Sequence, residues 1–243
     1  MPSFGLIGRK LGHSFSKEYF ETKFDELNLT DHSYNLFELD DIGEIEKILK
    51  LKPKGLNVTV PYKQEIIPYL NRLDDSAEKV GAVNVVSLEK NAFVGYNSDY
   101  YGFKTSLQHW LSNTTLKALV LGTGGASKAV IAALDELGIE VQSVSRTSGN
   151  NLITYDEVTS DIIEQHQLII NTTPLGMYPE TNECPDIPYD SVTNQHYLHD
   201  LVYNPEKTVF LKKGEAKGAQ VKNGLEMLHL QAEKSWEIWN NTL

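Results

Sequence analysis

A glycine-rich turn is the first segment of this 243-residue sequence whose residue types and spacing suit a chemical task. It has the sequence GTGG, begins at Gly122, and lies between an apolar run at 118–121 and an alanine-rich segment. Glycine permits a tight turn from strand to helix and lets a backbone approach a pyrophosphate, which the amides of a helix N-terminus stabilise. A strand before the turn and a helix after it are the context that a dinucleotide-binding fingerprint requires. We therefore predict a dinucleotide site formed by Gly122, Gly124, Gly125 and Ala126.

The residues after the next predicted strand, 140–144, indicate which dinucleotide binds. An acidic residue at this place bonds the ribose 2′-hydroxyl of NAD, whereas arginine accommodates the 2′-phosphate of NADP. The sequence here is Ser145-Arg146-Thr147, without a carboxylate. Arginine pairs with phosphate and the hydroxyls donate hydrogen bonds, so the turn favours NADP. The alternative is that Arg146 is an ordinary surface residue in a polar loop.

Several polar residues in the first hundred positions suit catalysis or binding, although each also has an ordinary structural explanation. Lys63 could be an ordinary solvated lysine on the surface, and Asp99 could cap the helix that follows it. Ser14 and Ser16 lie where another predicted helix needs a cap. Asn84 could close a turn. Taken one at a time, these residues establish no function.

Taken together, the segments that contain them resemble the shikimate dehydrogenase family in order and spacing. The resemblance rests on segments 12–16 (GHSFS), 55–63 (GLNVTVPYK), 81–84 (GAVN) and 95–102 (GYNSDYYG). It continues through 122–126 (GTGGA), 171–177 (NTTPLGM), 200–205 (DLVYNP) and 224–231, so it covers nearly the whole chain.

The resemblance implies a reaction and a role for each matching residue. The reaction is the reversible reduction of 3-dehydroshikimate to shikimate by NADPH, a step of aromatic amino-acid (chorismate) biosynthesis. Lys63 and Asp99 are the implied catalytic pair, in which the lysine handles the proton and the aspartate orients it. The implied substrate ligands are Ser14, Ser16 and Tyr203 for the carboxylate, and Thr59, Asn84, Asp99 and Gln231 for the ring hydroxyls. The implied cofactor site gains Asn171, Thr172 and Gly224.

The sequence departs from the usual pattern of that family in three respects. Lys17 stands where a proline often follows the second serine, and Phe20-Glu21 replace a frequent His-Asn pair. Ser98 stands in place of a threonine before Asp99, and no second basic residue follows Arg146 and Thr147. Two other functions therefore stay open at this point. One is a quinate/shikimate dehydrogenase that accepts NAD, and the other is a non-catalytic sensor of a shikimate-pathway ligand.

Alternating strand and helix patterns predict an α/β protein, and the chain is long enough for two domains. We predict an N-terminal α/β substrate domain that comprises 1–102 and 225–243. Residues 103–224 are predicted to form a Rossmann-like NADP-binding domain. The C-terminal helix is assigned to the substrate domain because its apolar face, which ends at Trp239, needs a core to cover it.

Composition excludes several kinds of partner. There are 22 Lys and Arg residues against 33 Asp and Glu, and this net charge of −11 opposes binding to nucleic acid. Cys184 is the only cysteine, so no internal disulfide forms, and no apolar run predicts a membrane helix. The seven histidines lack the paired spacing of metal ligands. We expect a cytoplasmic, metal-independent protein, a monomer or homodimer, whose partners are small molecules.

Overall fold

The computed structural model describes residues 2–12, 14–112 and 115–240. His13 of the predicted serine segment and the last three residues of the predicted substrate domain lie outside the described residues. The chain forms two compact units, unit 1 (1–101 and 231–243) and unit 2 (102–230), which are described separately. The assignment of substrate to one unit and dinucleotide to the other stays a prediction.

Unit 1 is built on a mixed sheet with the strand order β2-β1-β3-β5-β6-β4. Its elements are β1 (Ser3–Gly8), α1 (Phe15–Glu26), β2 (Ser33–Glu38), α2 (Ile45–Lys50), β3 (Gly55–Val58), β4 (Arg72–Leu73), α3 (Asp75–Val80), β5 (Val85–Glu89), β6 (Ala92–Tyr96) and the start of α4 (Ser98–Trp110). Strand β1 pairs in parallel with β2 and with β3, whereas β5 pairs antiparallel with β3 and β6. The carboxyl ends of β1 and β3 therefore meet at one edge of the sheet.

Helix α8 (Leu225–Asn240) completes the core of unit 1 with its C-terminal part. The fully buried Trp239 belongs to a cluster with Phe4, Phe20 and Phe24, and its ring centroid lies 4.9 Å from that of Phe4. Its indole Nε1 donates a hydrogen bond of 3.0 Å to the carbonyl oxygen of Val86. The apolar face of this helix thus finds the cover that its sequence requires.

A glycine on β3 makes room for this tryptophan. A Cβ atom at Gly55 would lie 2.3 Å from the Trp239 ring, a distance that carbon atoms do not tolerate. Gly55 opens the segment 55–63 on which the family resemblance rests. Its role there is packing, because it lets the indole lie directly on the strand.

Unit 2 is built on a parallel sheet with the order β12-β11-β10-β7-β8-β9. Its elements are the rest of α4, β7 (Lys117–Leu121), α5 (Gly125–Glu136), β8 (Glu140–Ser145), β9 (Leu152–Thr154), α6 (Ser160–Gln165), β10 (Leu168–Asn171), β11 (Tyr197–Asp200), α7 (Val209–Ala216), β12 (Gln220–Lys222) and the start of α8. When the strands are numbered from β7, this is the 3-2-1-4-5-6 order of a Rossmann sheet. The strands are added on one side of β7 first and then on its other side, so the strand order reverses between β7 and β10.

The predicted α/β class, with a Rossmann-like portion, is confirmed. Strands β7 and β10 are fully buried on both faces apart from Lys117, as expected for a parallel sheet covered by helices. Within the described residues, no helix combines the length and the apolar character needed to cross a membrane.

Replacing Gly55 by alanine should destabilise the protein. The added methyl group must displace the Trp239 ring, and overpacking of this kind costs about 1–3 kcal/mol of unfolding free energy. Urea unfolding followed by tryptophan fluorescence measures the change. Gly149→Ala is the control, because its added Cβ would meet only the flexible side chain of Leu152, at 3.0 Å. Equal stabilities of the two variants would show that the tryptophan does not need this glycine.

Candidate active site

A lysine and an aspartate form a close ion pair in unit 1. The Lys63 Nζ atom lies 2.6 Å from Asp99 Oδ2 and donates a hydrogen bond to it. The side chains are only 16% and 13% exposed, so the pair is much better shielded than a surface salt bridge. The structure thus brings together the two residues that the sequence analysis assigned to proton handling.

The start of helix α4 positions Asp99. Asn97 Oδ1 accepts a hydrogen bond of 3.0 Å from the backbone N–H of Tyr100, and Asn97 Nδ2 donates to the carbonyl oxygen of Ala82. Asn97 is therefore the capping residue, and the idea that Asp99 serves as the cap is wrong. Because Asn97 caps the helix, the Asp99 carboxylate is not needed for capping. It lies in the first turn, where the helix dipole stabilises negative charge.

The turn after β3 positions Lys63. Tyr62 is fully buried, and its hydroxyl donates a hydrogen bond of 2.5 Å to the carbonyl oxygen of Leu39. The Lys63 carbonyl oxygen accepts a hydrogen bond of 2.7 Å from Val83 N–H. The hydrogen bonds of Tyr62 and of the Lys63 carbonyl oxygen thus hold the backbone at Lys63 in place, and from this position its side chain reaches Asp99.

Two further predicted site residues meet at Ser98. Asn84 Oδ1 accepts a hydrogen bond of 2.7 Å from the Ser98 N–H, and Asn84 Nδ2 donates to Ser98 Oγ at 3.0 Å. Ser98 Oγ in turn lies 3.4 Å from Gln231 Oε1. Asn84, Ser98 and Gln231 therefore form one connected group of polar side chains, and Asp99 follows Ser98 directly in the chain.

Ser14, Ser16 and Thr59 follow the carboxyl ends of β1 and β3. Ser14 caps helix α1 by accepting a hydrogen bond of 3.4 Å from Lys17 N–H. The Thr59 N–H donates to the Ile7 carbonyl oxygen at 2.8 Å, which extends the pairing of the two strands. Ligands of open α/β sheets bind at this kind of edge, so the placement suits a binding role.

Unit 2 has a cavity of about 870 Å³ at the point where the strand order reverses. We call it the switch-point cavity, and its walls come from the segments after β7, β8, β9 and β10 and from a later part of the loop between β10 and β11. The lining residues are Gly122, Thr123, Gly124, Ser145, Arg146, Thr147, Tyr155, Thr172, Thr173, Pro174, Leu175, Cys184 and Asp186. Dinucleotides bind at such topological switch points.

The glycines in this cavity have the geometry that a phosphate site needs. Gly122 has φ +105°, and a Cβ there would lie 2.9 Å from Thr172 Oγ1. Gly124 caps α5, and a Cβ built on it meets no described atom within 4 Å. The N-terminal amides of a twelve-residue helix therefore face an open space, which fits a pyrophosphate.

Arg146 is the one cation among the described residues that line the switch-point cavity. It is exposed, and its charge acts on Tyr155, where it opposes the rise in pKa that burial of the phenol causes. Ser145 and Thr147 flank it, and Thr147 N–H donates to Ser145 Oγ at 3.3 Å. A positive side chain between two hydroxyls suits a phosphate monoester.

Asn171 is completely buried, so it shapes the cavity indirectly. Its Oδ1 accepts hydrogen bonds from the N–H and hydroxyl of Thr173, and its Nδ2 donates to Asp200 Oδ1 at 3.0 Å. Asp200 also accepts from Val202 N–H and from the Thr208 hydroxyl. This network fixes the wall segment after β10 from below.

The two remaining predicted residues lie in unit 2 as well. Tyr203 is 37% exposed. A Cβ on Gly224 would lie 2.1 Å from the Leu201 carbonyl oxygen, so only glycine allows this approach at the start of α8.

Comparison with known proteins agrees with this geometry. A family model, the shikimate dehydrogenase substrate binding domain, matches residues 6–86. The NADP(+) shikimate dehydrogenase of Clostridium beijerinckii is 44% identical, over 98% of this chain and 92% of its own. This chain belongs to the shikimate dehydrogenase family. The similarity to the Clostridium beijerinckii enzyme establishes the membership, because it covers 98% of this chain, whereas the family model matches only residues 6–86.

Solved structures of the family have the same fold. Shikimate 5-dehydrogenase from Thermus thermophilus, in complex with NADP(H) and shikimate, has a TM-score of 0.87 and 30% identity, covering 100% of this chain and 95% of its own. Quinate dehydrogenase from Corynebacterium glutamicum, in complex with NAD, has a TM-score of 0.88 and 26% identity, covering 99% and 94%.

The structure adds residues that the sequence reasoning did not assign to the site. In the sequence, Asp200 belongs to a motif but has no role of its own, and no pattern gives a role to Asn57, Ser98 or Ser235. The one available signal for Ser235 is its spacing of four residues from Gln231, which places both on one helix face.

The Asp200 network predicts a pH-dependent stability. Burial raises the pKa of Asp200 to about 6 from its ordinary 3.8. The unfolded chain therefore ionises first, and stability is lost as the pH rises from about 4 to about 6. In Asp200→Asn this loss disappears, so the unfolding free energy of the variant minus that of the wild type should grow by about 2 kcal/mol between pH 4 and 7.

Denaturant unfolding of both proteins at several pH values measures this difference. Comparing variants is necessary because His199, whose pKa burial lowers to about 3, acts in the opposite direction over much of the same range. Asp190→Asn is the control. Lys217 lowers the pKa of Asp190, so that difference should be small and of opposite sign. A pH-independent difference for Asp200→Asn would contradict the raised pKa.

Proposed function

We propose that this protein catalyses the reversible NADPH-dependent reduction of 3-dehydroshikimate to shikimate. The observation that carries the proposal is the largely buried contact of 2.6 Å between Lys63 and Asp99, whose neighbour in the chain, Ser98, is hydrogen-bonded to Asn84. Family membership supplies the reaction class, and this pair gives the chain the groups that the proton transfer needs.

Lys63 is the proton donor in the reductive direction. Its ammonium stabilises the negative charge that develops on the ketone oxygen, and it can pass a proton to that oxygen. Asp99 accepts the lysine hydrogen bond and so fixes the direction of the Nζ atom. In the oxidative direction the same atoms take the proton back.

Neutral polar side chains recognise the substrate. We assign the carboxylate to Ser14, Ser16 and Tyr203, and the ring hydroxyls to Thr59, Asn84, Asp99 and Gln231. A site that pairs each hydroxyl rejects analogues that lack one, because a buried polar group is then left without a partner.

The switch-point cavity fits the dinucleotide. Gly122, Gly124, Gly125 and Ala126 would hold the pyrophosphate at the N-terminus of α5, and Ser145, Arg146 and Thr147 would hold the 2′-phosphate. Thr172 and the buried Asn171 shape the facing wall, and Gly224 allows the close backbone approach after β11. When bound, the nicotinamide supplies the hydride that reduces the ketone carbon. With a single cysteine, Cys184, the protein suits the reducing cytoplasm.

One assay tests reaction, substrate and cofactor together. The purified protein is mixed with shikimate or quinate and with NADP or NAD, and nicotinamide absorbance is followed. We expect turnover with shikimate and NADP. Faster turnover with NAD and quinate would favour an NAD-accepting quinate/shikimate dehydrogenase; a quinate dehydrogenase of similar fold has a structure in complex with NAD. No turnover, with shikimate binding retained, would indicate a non-catalytic sensor.

Replacing Lys63 by alanine should lower kcat by about 10²–10⁴-fold, the usual contribution of general acid catalysis, with little change in KM. Steady-state shikimate oxidation measures both constants. Lys104→Ala is the matched control, since Lys104 also pairs with a carboxylate, Glu136, but in unit 2 and outside the proposed site. A large rise in KM at unchanged kcat would make Lys63 a binding residue.

Replacing Arg146 by alanine should raise the KM for NADP by about 10–100-fold, the loss expected for a hydrogen-bonded charge pair. The KM for NAD should change little, because NAD lacks the 2′-phosphate. Arg72→Ala, at an arginine that pairs with Glu89 in unit 1, should leave both values unchanged. Equal effects on the two dinucleotides would refute a role for Arg146 in choosing NADP.

A further inference from the structure

Ser235 is a fully buried serine on helix α8, four residues after Gln231. Its hydroxyl donates a hydrogen bond of 2.8 Å to the Gln231 carbonyl oxygen, as helix serines commonly do. That bond alone would satisfy its hydrogen. The oxygen nevertheless has two more partners, Asn57 Nδ2 at 3.0 Å and Ser98 Oγ at 3.2 Å. Ser235 therefore connects three separate segments of unit 1.

Tyr34 fixes the direction of the hydrogen bonds on the Asn57 side. The Tyr34 hydroxyl lies 2.7 Å from Asn57 Oδ1, and burial raises its pKa far above the ordinary value, so the phenol keeps its proton and donates it. Asn57 Oδ1 is thus the acceptor, and Asn57 Nδ2 must be the group that faces Ser235. Because the Ser235 hydrogen already goes to the Gln231 backbone, Ser235 Oγ accepts from Asn57.

On the other side, Ser98 has a single hydroxyl hydrogen and three acceptors within reach. Ser98 Oγ accepts from Asn84 Nδ2, and its own hydrogen can go to Ser235 Oγ, to Gln231 Oε1 or to Asn84 Oδ1. Asn84 Oδ1 already accepts from the Ser98 N–H at the shorter distance of 2.7 Å. Ser235 Oγ at 3.2 Å is the nearest of the three acceptors, since Gln231 Oε1 and Asn84 Oδ1 both lie at 3.4 Å.

This choice matters for recognition, because Gln231 and Asn84 are the residues assigned above to the ring hydroxyls. When the Ser98 hydrogen goes to Ser235, it does not take up a lone pair of Gln231 Oε1 or of Asn84 Oδ1. When Ser235 cannot accept, the Ser98 hydrogen turns to Gln231 Oε1 or Asn84 Oδ1 and takes one of the two lone pairs through which that amide oxygen can accept from a substrate hydroxyl. Ser235 Oγ has one remaining lone pair for this purpose after it accepts from Asn57.

We propose that Ser235 is a positioning residue for substrate recognition. It accepts the Ser98 hydrogen bond and holds the Asn57 amide, so that Gln231 and Asn84 present a fixed pattern of acceptors and donors to the ring hydroxyls. The proposal rests on the proposed function, since it concerns how the same site recognises its substrate. Ser235 acts through its neighbours and is not assigned a contact with the substrate.

The test compares Ser235→Ala with the wild type in shikimate oxidation by NADP. We expect the KM for shikimate to rise about tenfold, which corresponds to about 1.4 kcal/mol, with kcat within about threefold and the KM for NADP unchanged. The preference for shikimate over analogues that lack one ring hydroxyl should fall by a similar factor. If Ser235 served only the stability of the helix, neither the KM for shikimate nor the preference over analogues would change.

Two further variants make the result specific. Ser106→Ala removes another fully buried helix serine, whose hydroxyl bonds Glu226 in unit 2, and should lower stability without changing the KM for shikimate. In a Gln231→Ala background, adding Ser235→Ala should raise the KM for shikimate by a smaller factor than it does alone, because one of the two residues through which Ser235 acts is gone.

If Ser235→Ala fails to fold, Ser235→Cys replaces it. The thiol fills the position of the hydroxyl with a somewhat larger atom but is a weak acceptor, so the same rise in KM is expected. An unchanged KM and unchanged analogue preference in the folded variant would overturn the role of Ser235 alone. A wild-type protein that does not oxidise shikimate would instead overturn the proposed function, and this inference with it.

Discussion

The hydrogen bond between Asn84 Oδ1 and the backbone N–H of Ser98 is the contact on which the site in unit 1 depends. It fixes the first residue of α4, and Asp99 follows in the next position. Because Asn97 satisfies another amide of the same helix end, the Asp99 carboxylate is left to bind Lys63. A shift of this helix end by one residue would turn Asp99 to another face and break the pair.

In unit 2, the order of the strands creates the cavity that can bind a ligand. All pairings are parallel, and the order reverses between β7 and β10, so the segments that follow these strands diverge and leave a cavity between them. The chain, although its net charge is −11, can hold an anion there because the helix N-terminus and Arg146 act locally. The buried Asp200 supports the far wall through Asn171 and Thr173, at the expense of a raised pKa.

The buried polar side chains of unit 1 adopt one defined arrangement because they are hydrogen-bonded to one another. Tyr34, Asn57, Ser235 and Ser98 each hydrogen-bond to another member of the group, and the direction of each bond follows from the next. A buried group without a partner costs about 1–3 kcal/mol, so alternative side-chain arrangements are disfavoured. The same connectivity lets a residue such as Ser235 influence recognition through its neighbours.

The amino-acid sequence alone predicts the α/β class, the βαβ unit around Gly122 and the basic turn at Arg146. These features depend on residues that are close in the chain, where strand and helix periodicity and glycine conformations act locally. Family resemblance further supplies Lys63 and Asp99, but their spacing of 36 residues says nothing about whether they touch.

Tertiary structure decides that contact, the capping by Asn97 in place of Asp99, and the partners of Asp200 and Ser235. Asn57 and Ser235 lie 178 residues apart, and Asn171 and Asp200 lie 29 apart. No local pattern marks such pairs, because they meet only when β3 packs under α8 and β10 pairs with β11. Burial then gives each hydrogen bond its strength, and burial is a property of the folded chain.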